Sequence, residues 1–454
     1  MLPKSSSVTV PGLFTPLLRD MVDSQDPLIA LADAIDWSMI EEQLSGYYAS
    51  EGSPAKPIRL MVGLLLLKQI ENLSDERVVL QWKRNPYYQY FCGMEEYTPT
   101  TPCDSTSLVK FRQRIGQEGM EAIFAQSVAL HGKEAQESVV IVDTTVQEKN
   151  ITYPTDGKLA IRMINHLNKM AKRHAIQQRR TYLKEIKAHR INLRYFRHPK
   201  KIKKAKASMR RLRTIVGILI RELERKLPAD LLEQYQETFA LYERVRTQKP
   251  KDKNKIYSLH EPHVYAVAKG KDHVKYEYGT KASIVVTQKR GIVVGVAAHK
   301  ENEHDSKTLT LALASAKKHL TTPITRAVCD RGYRGAKEID GVRICIPGTP
   351  KKSDTRYRKT QKRKQFRRRA SIEPNIGHMK ADHRLARNYL KGFIGDEINL
   401  LLSASAYNMK KWMNHFLALL FILKIIAIKN ILEQIQPAQR KKYTDIYLFF
   451  YRVW

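Results

Sequence analysis

Three carboxylates stand where acids can do chemistry. Asp143 follows Val139-Val140-Ile141-Val142, and Asp330 follows Ile324-Thr325-Arg326-Ala327-Val328-Cys329, so each is expected at the end of a short apolar strand. Glu373 opens a helix-like segment in a strongly basic region. Carboxylates converging from strand ends can hold two divalent cations about 3.5–4 Å apart, an arrangement that cuts and joins phosphodiesters. Phe366, Arg369, Glu373 and Lys380 follow one another at steps of three, four and seven. On a continuous helix Arg369, Glu373 and Lys380 would share one face. Pro374 disfavours helical geometry for the residue before it, so Glu373 is expected at or just before a helix N-terminus, or on a kinked helix. In the first case Glu373 and Lys380 share a face without Arg369. In either geometry Glu373 would be the third carboxylate, Arg369 would offset phosphate charge and Lys380 would contact a DNA backbone. The plainer reading is an exposed ion-pair set of little energetic value.

Other polar residues carry less weight. Asp156 and Glu148 end no apolar strand, and Asp305 is expected to cap a helix through Thr308, Leu309, Leu311 and Leu313. His260 and His263 form HxxH without a glutamate at general-base spacing. Arg331-Gly332-Tyr333-Arg334-Gly335 reads as a turn whose glycines allow close backbone approach, with Arg331 and Arg334 either positioning DNA or merely starting the next helix. From Lys351 to Arg369 a basic run is interrupted by Tyr357 and Phe366, which suits phosphate neutralisation with stacking, or a loop that orders only on DNA.

The elements that must position these groups are legible in outline. With 454 residues, 43% of them hydrophobic, the chain can build two or three domains with a buried core. Its 80 Lys+Arg against 45 Asp+Glu, a formal charge of +35, imply a polyanionic partner, with nucleic acid leading. No uninterrupted apolar run reaches the roughly 20 residues of a membrane span; the longest, Phe416 to Ile428, is broken by Lys424 and is expected to be a buried C-terminal helix. Cys92, Cys103, Cys329 and Cys345 form no CxxC pair, which suits a reducing cytoplasm, and Met1–Ser5 lacks a secretory pattern.

Residues 26–130 read as short helices, among them an apolar one from Pro57 to Leu67, one starting at Ser74-Asp75-Glu76 and one capped by Asp104 or Ser105. They suit a helical DNA-binding module or a helical packing domain equally. Strands are expected at Val139–Asp143, Tyr276–Thr287, Gly291–Ala298, Ile324–Asp330 and Val342–Ile346, the second and third as a hairpin around Gln288-Lys289-Arg290. Between the first two lies a helical insertion, roughly 158–248, with Leu159, Met163, Leu167 and Met170 at helical spacing. From Lys169 to Arg213 it is rich in Lys and Arg, as a DNA-contacting arm or a solvated face would be. The fold class is α/β: a mixed sheet with a helical insertion, as in RNase H-like nucleases, preceded by an all-α N-terminal DNA-binding domain. The divisions are 1–130, 131–415 and a helical tail 416–454.

Phe366-x2-Arg369-x3-Glu373-x6-Lys380 resembles the Tyr-x2-Arg-x3-Glu-x6-Lys pattern of bacterial insertion-sequence DDE transposases, with phenylalanine for tyrosine, so the ring keeps its face but has no hydroxyl to offer DNA. Ile372–Lys380 is similar to the form in insertion-sequence family five. Val142–Val146, Pro154-Thr155-Asp156, Tyr278-Gly279-Thr280-Lys281, Glu303–Lys307 and Cys329–Gly335 resemble further motifs of that family in the same order, over roughly residues 40–415. The resemblance implies an RNase H-like catalytic domain in which Asp143, Asp330 and Glu373 bind two Mg²⁺ ions, with Mn²⁺ able to substitute. It implies double-stranded DNA as partner, both terminal inverted repeats and target, a homodimer at synapsis, no membrane, and a cytoplasmic, nucleoid-associated place in a bacterium. The alternatives are an RNase H-like nuclease without strand transfer, a non-catalytic DNA-binding inhibitor of transposition, or a basic structural protein on RNA, which lacks a recognised RNA module.

Overall fold

The computed structural model describes residues 16–49, 51–269, 275–335, 337–346, 348 and 350–434. The chain begins with helices α1 (Leu18–Met21), α2 (Pro27–Ala34), α3 (Trp37–Ser45), α4 (Ile58–Ile70), α5 (Asp75–Trp82), α6 (Pro86–Phe91) and α7 (Ser105–Ala129). Short polar side chains start them: Asp26, Ser74, Asn85 and Asp104 each accept a backbone N–H of the first turn. Helix α4 is apolar on every side and Leu60–Leu67 are all buried, so it runs through the middle of this layer. One charged group is buried with it. Asp75 accepts both Arg112 guanidinium nitrogens (2.9 and 2.6 Å) and lies 2.9 Å from the Lys68 ammonium.

The sheet follows. Its strands are β1 (Val139–Lys149), β2 (Tyr265–Ala268), β3 (Tyr276–Thr287), β4 (Val293–His299), β5 (Arg326–Val328), β6 (Glu338–Ile339), β7 (Val342–Cys345) and β8 (Arg387–Asn388). The order is β2-β3-β1-β5-β7-β6, with β4 also on β3 and β8 also on β1. Strands β3 and β4 form the expected antiparallel hairpin, while β5 and β7 run parallel beside β1, so the sheet is mixed. Strand β1 is longer than its apolar run: nine residues from Val140 to Glu148 pair antiparallel with β3. The close fit needs glycine at 279, where a Cβ would overlap the Gln147 carbonyl oxygen. Strand β5 is shorter than expected, three residues.

Between β1 and β2 come α8 (Asp156–Arg173), α9 (Leu183–Asn192), α10 (Ile202–Lys226) and α11 (Ala229–Thr247). Leu159, Met163, Leu167 and Met170 of α8 and Leu212–Leu223 of α10 line a hydrophobic core of their own. The other core is continuous through α2–α7, the sheet and the last helix. After α12 (Asp305–His319), the chain ends in α13 (Arg356–Ala370), α14 (Ile372–Ala381) and α15 (Gly392–Gln434).

Helix α15 corrects one expectation. Up to Met413 it is a core helix, where Asn408 bonds to the Val293 backbone and Asp396 to Lys149. Beyond that the neighbouring layers stop, and Leu417, Leu419, Phe421, Ile422, Leu423, Ile426 and Ile428 are exposed rather than buried. Gly392–Asn430 is long and apolar enough to cross a membrane, by length and composition only. The tail read for 416–454 is described as far as Gln434, and Met1–Ser5 lies outside the described residues.

Burial alone would raise the Asp75 carboxyl, but Arg112 and Lys68 outweigh it and hold the group down to about 2. A depressed carboxylate contributes stability above its ordinary range that is lost as the pH falls toward about 2. Asp75→Ala leaves two buried cations without a counter-charge and should lower the unfolding free energy by about 3–5 kcal/mol at neutral pH. An unmoved urea midpoint would show that the triad carries no such load.

Candidate active site

Strand register decides where the acids lie. In the parallel pair, Val139 faces Arg326 and Ile141 faces Val328. Two residues further along stand Asp143, still on β1, and Asp330, two residues past the end of β5, close enough that the charge of Asp330 acts on the Asp143 carboxyl. Asp330 follows the end of β5 as expected. Asp143 does not end its strand: β1 continues to Lys149 because β3 continues beside it, and β8 pairs with Glu148 and Lys149 on the other edge. Between β5 and β8 this edge of β1 has no strand partner among the described residues, and Asp143 lies at that opening.

Local bonds aim both groups. Asp143 accepts the Thr144 amide at 2.8 Å, and Asp330 accepts the Gly332 amide at 2.8 Å, capping a 3-10 turn at Arg331–Tyr333. Arg331 and Arg334 are exposed on and just after that turn, beside Asp330.

The third acid arrives on a broken helix. Helix α13 ends at Ala370 and α14 begins at Ile372, with Glu373 and Pro374 in its first turn. The break at Ser371 stays close to helical geometry, so Arg369 still reaches Glu373: its Nη2 donates to Oε1 at 2.8 Å. The expectation that a helix start at Glu373 would separate it from Arg369 is therefore corrected. The Arg369 Nη1 lies 3.8 Å from Asp143 Oδ2, and its guanidinium sits 5.7 Å from the centre of the exposed Phe366 ring. Its buried Nε has no hydrogen-bond partner. Lys380 is half-buried two turns along α14, about 10 Å from Glu373.

A fourth carboxylate joins this group. Asp305 is the first residue of α12, but His304 is the cap. The Asp305 carboxylate instead accepts the Lys281 ammonium at 2.9 Å and the Thr144 hydroxyl at 3.2 Å. A Cβ on Gly332 would lie 3.0 Å from Asp305 Oδ2 and 3.0 Å from Asp330 Oδ1, so glycine lets both carboxylates close on one backbone segment. Residue type alone does not single out Asp305, Lys281 and Thr144. Their signal lies in the motifs Glu303–Lys307 and Tyr278–Lys281, each of which contributes one charged partner. His263 points elsewhere, bonding to Asp396 at 3.1 Å.

Among the described residues no three His, Cys, Asp or Glu side chains are gathered closely enough to hold a metal as they stand. The donor chemistry nevertheless fits a hard divalent cation, since every candidate ligand is a carboxylate oxygen. The Asp143 carboxyl is pushed up to about 6 by burial first, with the charges of Asp330 and Glu373 adding and Thr144 and Arg369 opposing. Negative charge thus converges on Asp143, and Arg369 bridges it to Glu373. Glu373, 60% exposed, can turn inward once that contact opens.

The raised Asp143 pKa has a definite sign. The folded state binds this proton more tightly than the unfolded chain, so the ionised group costs stability above about pH 6 and the cost vanishes below about pH 4. In metal-free protein Asp143→Asn should therefore raise stability by about 1–3 kcal/mol at pH 7.5 and by nothing near pH 4. Thermal melts at the two pH values test this; an Asn variant less stable at both would refute it.

Comparison with known proteins bears on the domains that carry these residues. Residues 16–114 match the family model described as Transposase domain (DUF772), and residues 244–409 match Transposase DDE domain. The second match contains Asp330, Arg369, Glu373 and Lys380 and begins after α8–α10, so it excludes Asp143, whose placement rests on the register of β1. A protein of Rhizobium meliloti named "Uncharacterized protein ORF8 in nfe locus" is 38% identical over 203 residues, covering 44% of this chain and 98% of that protein. No solved structure matches. On its mixed sheet and N-terminal helices this chain thus carries two transposase domains in order, the second of the DDE kind.

Proposed function

We propose that the protein binds the terminal inverted repeats of its own element, cleaves at their ends and joins the resulting 3′-hydroxyls to target DNA. The observation that carries this reading is the approach of Asp143 on β1 to Asp330 just past the end of the parallel β5, with Glu373 tied to the same spot through Arg369. Asp143, Asp330 and Glu373 would hold two Mg²⁺ ions, or Mn²⁺ in their place. Bound there, the metal supplies Lewis-acid stabilisation of phosphate charge and a lowered pKa for the attacking hydroxyl. Arg369 would then leave the carboxylates for the phosphate, a bidentate partner of the same charge. Lys380, two turns further along α14, is placed for the DNA backbone beyond it.

Helix α13 supports DNA as the partner. It buries no residue, and Arg363, Arg367 and Arg368 stand on it among further cations, a density of like charge that is stable only in solvent or against phosphate. Phe366, exposed there, and the flanking Arg331 and Arg334 complete the DNA-facing set. The N-terminal helices α1–α7 are assigned to recognition of the repeat. The motif at Ile372–Lys380 favours insertion-sequence family five, and joining two ends calls for a homodimer working on the nucleoid.

Asp330→Asn or Glu373→Gln should abolish cutting and joining of labelled repeat DNA in Mg²⁺ while binding stays within about twofold. Cleavage near the wild-type level would sink the assignment. Cutting without joining would favour a nuclease. Replacing Arg363, Arg367 and Arg368 together by alanine should flatten the dependence of log affinity on log salt by about 0.9 for each phosphate that the variant no longer neutralises. A slope unchanged from wild type would remove α13 from the interface.

A further inference from the structure

A cavity of about 690 Å³ opens at the far end of β1, bounded by β3, β8 and the segment that follows β1 at 151–154. Its base is Glu148, which pairs with Gly279 of β3 on one side and Arg387 of β8 on the other. Tyr276 and Tyr278 alternate along β3 and so present their rings to one face of the sheet. Tyr153 closes the wall, meeting Tyr278 edge to face with ring centres 5.6 Å apart. The Lys158 ammonium donates to the Tyr153 carbonyl at 3.0 Å and holds that turn in place.

Three exposed cations, Arg197, Lys275 and Arg387, stand on its rim. Lys149 does not count among them, since its ammonium lies 2.7 Å from buried Asp396. Tyr153 and Tyr276 keep 62% and 52% of their surface open, although rings of this size favour burial. Open aromatic faces beside cations suit a ligand that is planar at one end and anionic at the other. An unpaired nucleotide has that form: a base to lie on tyrosine and a phosphate for arginine and lysine.

Position relates the cavity to the carboxylates. In the register that sets Glu148 against Gly279, Tyr278 stands level with Lys149, six residues from Asp143 and therefore on the same face of the sheet, about 20 Å along the strand. That separation is a few nucleotides of DNA. We propose that this tyrosine-lined cavity takes an unpaired nucleotide at the end of the DNA on which Asp143 acts. The proposal rests on the reading that the chain works on DNA ends. It assigns Tyr153 and Tyr276 to stacking, and Arg197, Lys275 and Arg387 to the phosphate.

The experiment uses full-length protein and fluorescently labelled repeat duplexes of three kinds: blunt, with a short single-stranded tail, and with the same tail made abasic. Each strand carries the tail in turn. Wild type should bind the tail with bases about tenfold more tightly than the abasic tail. Tyr153→Ala/Tyr276→Ala, two exposed truncations whose folding is checked by circular dichroism, should lose that preference and keep its affinity for blunt duplex. A wild type indifferent to the bases, or a double variant that keeps the preference, overturns the cavity proposal while blunt-duplex binding leaves the DNA reading intact. Binding to none of the duplexes overturns both.

Discussion

The central constraint is two like charges held side by side by backbone hydrogen bonds. Asp143 lies two residues beyond Ile141 and Asp330 two beyond Val328, so the parallel register that sets Ile141 against Val328 brings the two carboxylates together. Burial of Val140, Ile141 and Val142 thus supplies the energy that keeps the carboxylates together. The raised Asp143 pKa is the electrostatic cost of that register. The surrounding structure limits the cost without cancelling it: one amide to each aspartate, Lys281 on Asp305 and Arg369 on Asp143 and Glu373.

Arg369 is the adjustable member. Its guanidinium bridges two acids, yet its Nε is buried without a partner and its contact with Asp143 is 3.8 Å, too long for a direct hydrogen bond. A group so incompletely satisfied gives up little when a stronger anion arrives. The break between α13 and α14 has the same logic. Pro374 cannot donate a backbone hydrogen bond, so the helix interrupts at Ser371, between the wholly unburied α13 and an α14 held in the core by Ile372 and Met379.

How much of this can be read from the residues differs by feature. The caps Ser74 and Asp104, the α8 stripe Leu159–Met170 and the β3–β4 hairpin are local patterns, and local physics forms them. The extent of β1 is not legible, since Thr144 to Lys149 look polar and become strand only because β3 and β8 flank them. Asp305 misleads for a related reason. Capping by the residue before it frees its carboxylate, and its partners Thr144 and Lys281 are 161 and 24 residues away in sequence. The distal part of α15 departs in the opposite sense. Its apolar residues promise burial, but burial needs a neighbour, and composition does not reveal where the packed layers end.

Strand β1 links these parts. Near one end Asp143 meets β5; at the other Lys149 is fixed by Asp396 and Glu261 at 2.7 and 3.5 Å, all three side chains being almost wholly buried. Asp396 belongs to α15, which in turn packs on α4 and α7, so the strand is anchored to the N-terminal helices as well as to the sheet. A buried ion pair contributes little net stability but is costly to break, which suits a register pin more than a source of stability. With both ends fixed, the distance from the carboxylates to the tyrosine cavity does not depend on where α13 lies. The two places proposed to hold a DNA end therefore keep a constant separation.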